Sequence, residues 1–327
     1  MRHPGFVDLQ VNGYLGIDFS GPDLTEESFL AVCAALEKKG TAGFLPTVIT
    51  SSAEIYERNL PLMAKALRHP EARRMVLGFH LEGPFISPDD GYRGAHPKPC
   101  VREPDPAFLD RLQSLAMGEV KLLTVAAERP ACAALIAHAV AKGIRVSLGH
   151  QNASATDLEG ALAAGATALT HLGNGIPSTM ARHPNPIWDG LAEDKILAMV
   201  ITDGHHVPDR VLKSFFRAKG EKILVVSDAS PIAGLPAGRY EALGNPAVIE
   251  PNGRLYNPET GYLVGSSYSM IECMNHLATC AWHSEGDLVT LGTHRPLAYL
   301  GLDRNRLAES PMSLEFDGWA FRPNLEK

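Results

Sequence analysis

The stretch from 131 to 171, ACAALIAHAVAKGIRVSLGHQNASATDLEGALAAGATALTH, contains the pattern that decides the fold. An alanine-rich helical run stops at Gly143, an apolar strand-like run from Ile144 to His150 follows, and a second helical run stops at Gly165. Glycine just past the last helical turn is a stop signal. The segment therefore predicts two parallel strands joined by a crossover helix.

The same alternation of short apolar runs and helical patterns extends along almost the whole chain. Eight strand-like runs can be counted, and eight is the number that closes a (β/α)8, or TIM, barrel. We predict this α/β barrel, with an open doubly wound sheet as the alternative, because alternation alone does not distinguish the two. The runs are Phe6 to Asn12, Gly43 to Thr50, Met75 to Glu82, Lys121 to Glu128, Ile144 to His150, Ala168 to His171, Leu197 to Asp203 and Ile223 to Asp228.

Glycine follows three of the predicted helices, which run from Thr25 to Lys39, from Ala131 to Lys142 and from Asp209 to Lys219. Thr156 with Glu159 resembles a capping box that opens a fourth helix.

The stretch from Pro231 to Gly265 is rich in Pro, Gly and Asn, and is expected to form a long loop or small hairpin over the barrel mouth.

Composition excludes several classes of function. The 327 residues carry a net charge of −7 without a run of five like charges, so a nucleic-acid partner is not expected. Five cysteines without CxxC spacing suit packed thiols in a reducing compartment. With no signal-peptide pattern and no stretch of ~20 apolar residues, we expect a cytoplasmic protein that does not enter a membrane.

Polar or ionisable residues end nearly every strand-like run. In a barrel these carboxyl ends meet on one face, where barrel active sites are built. Glu82, His150 and His171 match a catalytic set of two imidazoles and a carboxylate around one divalent ion. Such an ion lowers the pKa of water to about 7 and polarises a carbonyl. Asp228 is then expected to move the proton in an amide hydrolysis.

The same histidines and carboxylates also have a purely structural interpretation. Any single histidine among 13 is more often a surface or core residue than a ligand, so the set is stronger than its members. His80, His183 and His205 are assigned to structure or to support of the ligands. Asp203 and Glu128 are left without a role. Walker, HExxH and GxSxG motifs are absent from the sequence, which disfavours nucleotide and serine-hydrolase chemistry.

The strand ends carry a series of motifs, which in chain order are HLEGPFIS and GAHP (80–87 and 94–97), SLGHQNA (147–153), THLGNGIPSTMARHP (170–184), TDGHHV (202–207) and VVSDASPIAGLPAGRY (225–240). Together they resemble N-acetylglucosamine-6-phosphate deacetylases of the amidohydrolase superfamily. The resemblance extends from Pro4 to about Gly301, and it implies metal-dependent removal of acetyl from an N-acetylated amino sugar.

The resemblance also assigns roles residue by residue. It implies that Glu82, His150 and His171 are metal ligands and that Asp228 is the catalytic aspartate. His96 would polarise the substrate carbonyl. The residues that it implies for substrate binding are Asn174, Gly175 and His206 for the sugar and Arg182 for the phosphate, a role that suits the planar guanidinium.

The first strand bears on the number of metal ions. Many relatives have HxH there and bind two ions, whereas this chain has Gln10 and Asn12, and neutral amides are poor ligands for transition metals. We expect one divalent ion, with zinc as the first candidate and iron, cobalt or manganese as alternatives. A homodimer is expected by analogy alone.

Three departures from the family pattern bear on the substrate. The small β-sandwich domain of relatives is expected to be missing or vestigial, because the chain opens at the first barrel strand. This gives a barrel over 1–303 and a tail over 304–327, in which Ser313 to Phe321 can supply one or two remnant strands. Gly173 replaces a bulkier residue, which predicts a wider sugar pocket. Around Arg182 the sequence differs from the usual arginine loop. Another N-acyl or cyclic amide substrate, or a non-catalytic sugar-phosphate binder, is the alternative.

Overall fold

Strands and helices alternate along most of the chain in the computed structural model, which describes residues 2–308 and 310–325. The strands are β1 (Arg2–Pro4), β2 (Phe6–Val11), β3 (Gly13–Tyr14), β4 (Ile17–Asp18), β5 (Thr41–Ile49), β6 (Phe79–Glu82), β7 (Val120–Val125), β8 (Arg145–Leu148), β9 (Ala168–Leu169), β10 (Leu197–Ile201), β11 (Ile223–Val226), β12 (Gly238–Ala242), β13 (Asn245–Ile249), β14 (Leu255–Tyr256), β15 (Met312–Phe316) and β16 (Phe321–Leu325). The α-helices are α1 (Glu26–Lys38), α2 (Ala53–Ala66), α3 (Pro70–Met75), α4 (Pro106–Leu115), α5 (Cys132–Ala141), α6 (Ala155–Ala164), α7 (Pro186–Ala192), α8 (Asp209–Lys219), α9 (Met270–Thr279), α10 (Glu285–Val289) and α11 (Arg295–Leu300).

Eight parallel strands form the barrel, in the order β2-β5-β6-β7-β8-β9-β10-β11. Its first and last members are joined just beyond their ends, where Val11 and Ala229 form a parallel bridge and the Asn12 amide donates to the Ala229 carbonyl at 2.8 Å. Each connection between successive barrel strands contains a helix. The predicted closed (β/α)8 architecture is confirmed, and the open sheet is excluded.

The predicted helices lie where the sequence places them, but one cap was assigned to the wrong residues. Thr25 caps α1, and α5 and α8 match their predicted runs within a residue at each end. The capping box of α6 consists of Ser154 and Asp157, so the prediction of Thr156 with Glu159 is wrong. Both pairs have suitable side chains and spacing, and sequence alone does not fix which one lies at the first turn.

Most strand-like runs are longer than the strands that they contain. The run predicted from Met75 is helical at its start, because Met75 ends α3 and β6 begins only at Phe79. At the other end, His150, His171 and Asp228 each lie two residues beyond a barrel strand. The backbone leaves the β region at these three residues, with φ of 51°, 30° and 51°. This turn ends the strand pairing and aims the side chains into the barrel mouth.

The stretch from 231 to 265 is more ordered than a loop. It contains the antiparallel sheet β12-β13-β14, whose inner face packs around Ile232, Ile249, Leu255 and Val264. This small sheet has its own apolar cluster, which explains how a Pro- and Gly-rich stretch stays folded over the barrel mouth.

Both ends of the described chain meet in a second antiparallel sheet, β1-β15-β16. Phe321 packs edge-on against Phe6 of the barrel, with ring centroids 5.0 Å apart. The expectation that the chain opens at the first barrel strand is wrong, because β1 precedes it and pairs with β15. The tail contains two strands, of which β15 lies almost wholly in the predicted stretch from Ser313 to Phe321, whereas β16 begins only at the last residue of that stretch. The boundary at 303 and the remnant-domain interpretation stay predictions.

The five cysteines are free thiols, of which Cys33, Cys132 and Cys273 are buried. In the described ranges, every helix is too short or too polar to cross a membrane.

Candidate metal centre and substrate cavity

Glu82, His150 and His171 converge at the carboxyl ends of three barrel strands. Glu82 is the last residue of β6, and the two histidines follow β8 and β9. The Nε2 of His171 lies 2.9 Å from the Glu82 Oε1 and 3.1 Å from the His150 Nε2, which in turn lies 3.3 Å from the same Oε1. All three residues are buried. Residues separated by up to 89 positions are thus brought within reach of one ion.

The chemistry of these three side chains fits a divalent cation. The His150 Nδ1–H donates to the Tyr92 carbonyl at 2.9 Å, which leaves a lone pair on the Nε2 that faces the other two ligands. Burial raises the pKa of Glu82, but its interactions with His150 and His171 outweigh burial, and its pKa lies well below the usual range. An ionised carboxylate and two ring nitrogens, clustered away from water, are costly without a compensating charge.

Asp228 lies beside the cluster and is held by the side-chain amides of Gln10, in β2, and of Asn12, just beyond it. Its Oδ1 accepts from the Gln10 Nε2 at 3.0 Å and from the Asn12 Nδ2 at 2.8 Å. Gln10 also donates to the Glu82 Oε1 at 2.8 Å, and so links the two carboxylates. Burial, with the nearby charge of Glu82, raises the pKa of Asp228 to about 6. Asp228 can therefore exchange a proton near neutral pH.

His96 faces the same cluster from the loop after β6. Its ring lies 4.3 Å from that of His150, and its Nε2 lies 3.8 Å from the Glu82 Oε2. The Thr50 amide and hydroxyl are both within reach of the Nδ1, at 3.4 and 2.9 Å, so the ring proton is assigned to the Nε2. Burial lowers the pKa of His96 well below its usual value. The neutral ring thus presents one N–H donor to the cavity.

His206 is held by Asp203, which the sequence left without a role. The His206 Nδ1–H donates to the Asp203 Oδ2 at 2.7 Å, and the Ser266 hydroxyl donates to the same oxygen at 2.9 Å. The backbone amides of His205 and His206 donate to the other carboxylate oxygen, each at 2.9 Å. Burial lowers the pKa of His206, but the charge of Asp203 outweighs burial and raises it overall. Asp203 therefore fixes the ring that lines the cavity.

Gly175 lies where the backbone passes directly over the His150 ring. Its φ is +62°, and a Cβ there would lie 2.8 Å from the His150 Nδ1. The preceding Asn174 is tied back by its own side chain, which donates to the His171 carbonyl at 3.1 Å. At Gly173 a Cβ would meet the Phe215 ring at 3.2 Å. A bulkier residue there would require local rearrangement, and the widening of the pocket stays a prediction.

Known proteins are similar to this chain in sequence and in architecture. The N-acetylglucosamine-6-phosphate deacetylase of Rattus norvegicus is 36% identical over 312 residues, which cover 93% of this chain and 75% of the relative. The chain belongs to the N-acetylglucosamine-6-phosphate deacetylase family. The N-acetylgalactosamine-6-phosphate deacetylase of Escherichia coli is 28% identical over 92% of this chain and 78% of its own length. No family model matches the chain.

A solved structure of a deacetylase has the same fold as this chain. The crystal structure of N-acetyl-D-glucosamine-6-phosphate deacetylase from Mycobacterium smegmatis matches with a TM-score of 0.87 and 26% identity, covering 98% of this chain and 85% of that one. The resemblance stated from the motifs is thereby confirmed for the family and for the barrel.

The deacetylase-family cavity has a volume of about 260 Å³ and lies between the cluster and the small sheet. Gln10 is fully buried beneath it. The predicted site residues that line the cavity are Asn12, Glu82, His96, His150, His171, Asn174, Gly175, His206 and Asp228, together with Leu243 and Tyr262 of the 231–265 stretch.

Arg182 does not join this group. It is exposed on the loop before α7, where its carbonyl accepts from the Trp188 Nε1 at 3.1 Å, and it is not among the described residues that line the cavity. The phosphate role that the deacetylase resemblance implies for Arg182 therefore stays a prediction.

The residues assigned to structure lie outside the ligand cluster. His80 is buried inside the barrel, where its Nε2 lies 2.8 Å from the Thr124 hydroxyl. His183 is exposed, and the His205 Nε2 lies 3.1 Å from the Asn252 carbonyl. Glu128 accepts from the Asn152 amide at 2.9 Å and tethers the loop after β8. The contacts of His80 and His205 fit the structural or supporting role expected of them, whereas the role of His183 stays a prediction and Glu128, which was left without a role, ties two loops together.

The sequence did not indicate four residues that support or line the deacetylase site. The Tyr92 carbonyl is a backbone atom, so residue type gives no signal for it. Thr50 was visible as a polar strand end, but its hydrogen bonds to His96 depend on the fold of the loop after β6. Leu243 and Tyr262 reach the cavity only because the small sheet folds back over the barrel.

Proposed function

We propose that this chain removes the acetyl group of N-acetylglucosamine 6-phosphate by metal-dependent amide hydrolysis. One observation supports this reaction above all: three potential metal ligands and a carboxylate with a raised pKa line a single cavity of a deacetylase-family barrel. That combination supplies both a place for the ion and a group that moves protons.

Glu82, His150 and His171 would hold one divalent ion. Such an ion makes water acidic enough to act as a nucleophile at neutral pH and polarises the substrate carbonyl. Zinc is the first candidate, and iron, cobalt and manganese accept the same donors. Gln10 and Asn12 donate hydrogen bonds to Asp228, and their neutral amides are poor ligands for a transition metal compared with imidazole. This arrangement favours a single ion.

The remaining steps are assigned to the side chains around the cluster. Asp228 takes the proton from the water that attacks the acetyl carbon, and it returns this proton to the amide nitrogen as the C–N bond breaks. The products are acetate and the free amino sugar phosphate. The Nε2–H of His96 donates to the carbonyl oxygen, where negative charge develops. His206, Asn174 and Gly175 contact the sugar.

Two features of the substrate, the orientation of its 4-hydroxyl and its phosphate, are proposed from the family alone. One relative is named for the galactosamine epimer, so the orientation of the 4-hydroxyl has to be tested. Arg182 is exposed, and its guanidinium would need to turn toward the cavity to bind a phosphate. A homodimer and a cytoplasmic location stay predictions.

The direct experiment measures acetate release before and after treatment with a chelator. We expect turnover of N-acetylglucosamine 6-phosphate, loss of turnover on chelation, and recovery when zinc is added back. N-acetylgalactosamine 6-phosphate, unphosphorylated N-acetylglucosamine and N-acetyl amino acids serve as alternative substrates in the same assay. Turnover of the amino acids alone would contradict the sugar assignment, and turnover that resists chelation would contradict the metal mechanism.

A further inference from the structure

A second group of possible metal ligands lies on the outside of the barrel. Apart from the cluster at the mouth, it is the one such group in the described part of the chain, and it consists of Asp209, His276 and Cys280. One donor atom from each of the three lies within 4.8 Å of the other two. Since deacetylation as proposed above uses none of these residues, the group calls for a separate explanation.

Two helices bring the three side chains together. Asp209 is the first residue of α8, whereas His276 lies in the last turn of α9 and Cys280 caps its end. Residues four positions apart lie on the same face of a helix, so the imidazole and the thiol point the same way. The His276 Nε2 lies 2.9 Å from the Asp209 Oδ1, and the Cys280 Sγ lies 3.7 Å from the His276 carbonyl.

We propose that Asp209, His276 and Cys280 bind a zinc-type divalent ion that joins the start of α8 to the end of α9. Thiolate, imidazole and carboxylate are all zinc ligands, with bonds of about 2.0–2.3 Å. Ligand atoms that share a tetrahedral ion therefore lie about 3.3–3.6 Å apart. The observed donor atoms reach these separations through small side-chain rotations, with water completing the coordination.

Proton balance is simple at this position. Burial raises the pKa of Cys280, so the ion-free protein carries a thiol there. Ion binding releases this one proton to solvent, while the His276 proton moves from the Nε2 to the Nδ1 through exchange with water. No oxidant or reductant is required.

The position of this ion would matter to the deacetylase cavity. The segment from 203 to 208, which carries Asp203 and His206, leads directly into α8. Gly204 of this segment lies against the His276 ring, where a Cβ would approach the Cε1 to 2.5 Å. An ion fixed to His276 and Asp209 would therefore hold both sides of the segment. We assign it a structural role rather than a catalytic one.

Cobalt substitution tests the site without relying on activity. The metal-free full chain is titrated with Co²⁺, and the sulfur-to-cobalt charge-transfer band in the near ultraviolet is followed. The ligands at the barrel mouth contain no sulfur, so this band reports on a cysteine site alone. We expect two equivalents to bind, of which one produces the band. Cys280→Ser should lose the band and one equivalent, whereas Cys100→Ser, at the other partly exposed cysteine, should keep both.

The outcomes separate this proposal from the catalytic one. Absence of the band in the unaltered chain, or its persistence in Cys280→Ser, would overturn the second site even if the protein is an active deacetylase. If the unaltered chain bound only the equivalent that produces the band, the ion at the barrel mouth would be contradicted instead. X-ray absorption of the two-zinc form gives an independent check, because the second site predicts one sulfur at about 2.3 Å from zinc.

Discussion

Asp228→Asn tests the proton-transfer role with little disturbance of the structure. The Asp228 Oδ1 accepts from Gln10 and Asn12, and an asparagine oxygen at the same position can accept both hydrogen bonds. The change therefore replaces only the outer oxygen with an NH₂ group, which cannot take a proton from water. The proposed ligands Glu82, His150 and His171 are untouched, so the variant should keep its ion.

The expected loss follows from the general-base role. Removal of a positioned base typically costs about 10²–10⁴-fold in rate, which corresponds to about 3–5 kcal/mol of activation free energy. We expect kcat for N-acetylglucosamine 6-phosphate to fall by this factor while the metal content per chain stays that of the unaltered protein. Acetate release and elemental analysis on the same preparation measure both quantities.

A matched control removes one negative charge that does not line the cavity. Asp157 belongs to the capping box of α6, and Asp157→Asn should leave kcat unchanged. If Asp228→Asn retained its ion and turned over as fast as the control, Asp228 would not be the proton carrier. If it lost the ion, its role would be to hold the metal instead.

Three further outcomes follow from the hydrogen bonds and pKa values around the cavity. If Asp228 acts as the base, as proposed, its pKa of about 6 means that kcat/KM should fall as the pH drops below about 6. The positive charge of an ion would lower that pKa and move the fall to a lower pH. A flat profile from pH 7 to pH 4 would contradict this role. Asp203→Asn weakens a charge-assisted hydrogen bond to His206 worth about 1.5–3 kcal/mol, so kcat/KM should fall about 10- to 100-fold with the ion retained, whereas Ser266→Ala should cost far less; equal effects would argue against it. Burial raises the pKa of Asp8 to about 6, above about 3.9 for an unfolded chain, so its protonated form favours folding and this contribution is lost as the pH rises through 6. Denaturant unfolding should show Asp8→Asn gaining up to about 3 kcal/mol relative to the unaltered protein between pH 4 and pH 8, and no pH-dependent difference would refute it.

The barrel and its ligand cluster could be predicted because both follow from short-range patterns. Strand and helix periods are local, and the carboxyl ends of parallel strands meet on one face by the geometry of the barrel. Glu82, His150 and His171 could therefore be grouped although they are far apart in sequence. The same rule grouped them with Asp228, whose position next to Gln10 and Asn12 required only that the first and last strands be neighbours.

Features that depend on long-range pairing, on loop packing or on a choice between equivalent local patterns could not be predicted. An alternating pattern does not name its partner strand, so nothing local indicated that Arg2–Pro4 pairs with a strand more than 300 residues later. Arg182 was chosen because of a motif, but its side-chain direction depends on how its loop packs beside Trp188. The capping box was misplaced because Ser154 and Thr156 offer the same chemistry two residues apart.

The most direct test of the central claim is an anomalous difference map, recorded at the zinc edge from crystals of the zinc-loaded protein. The account predicts a peak about 2.0–2.2 Å from the Nε2 atoms of His150 and His171 and from a carboxylate oxygen of Glu82. A map with no peak among these three side chains, from protein that hydrolyses the substrate, would contradict it.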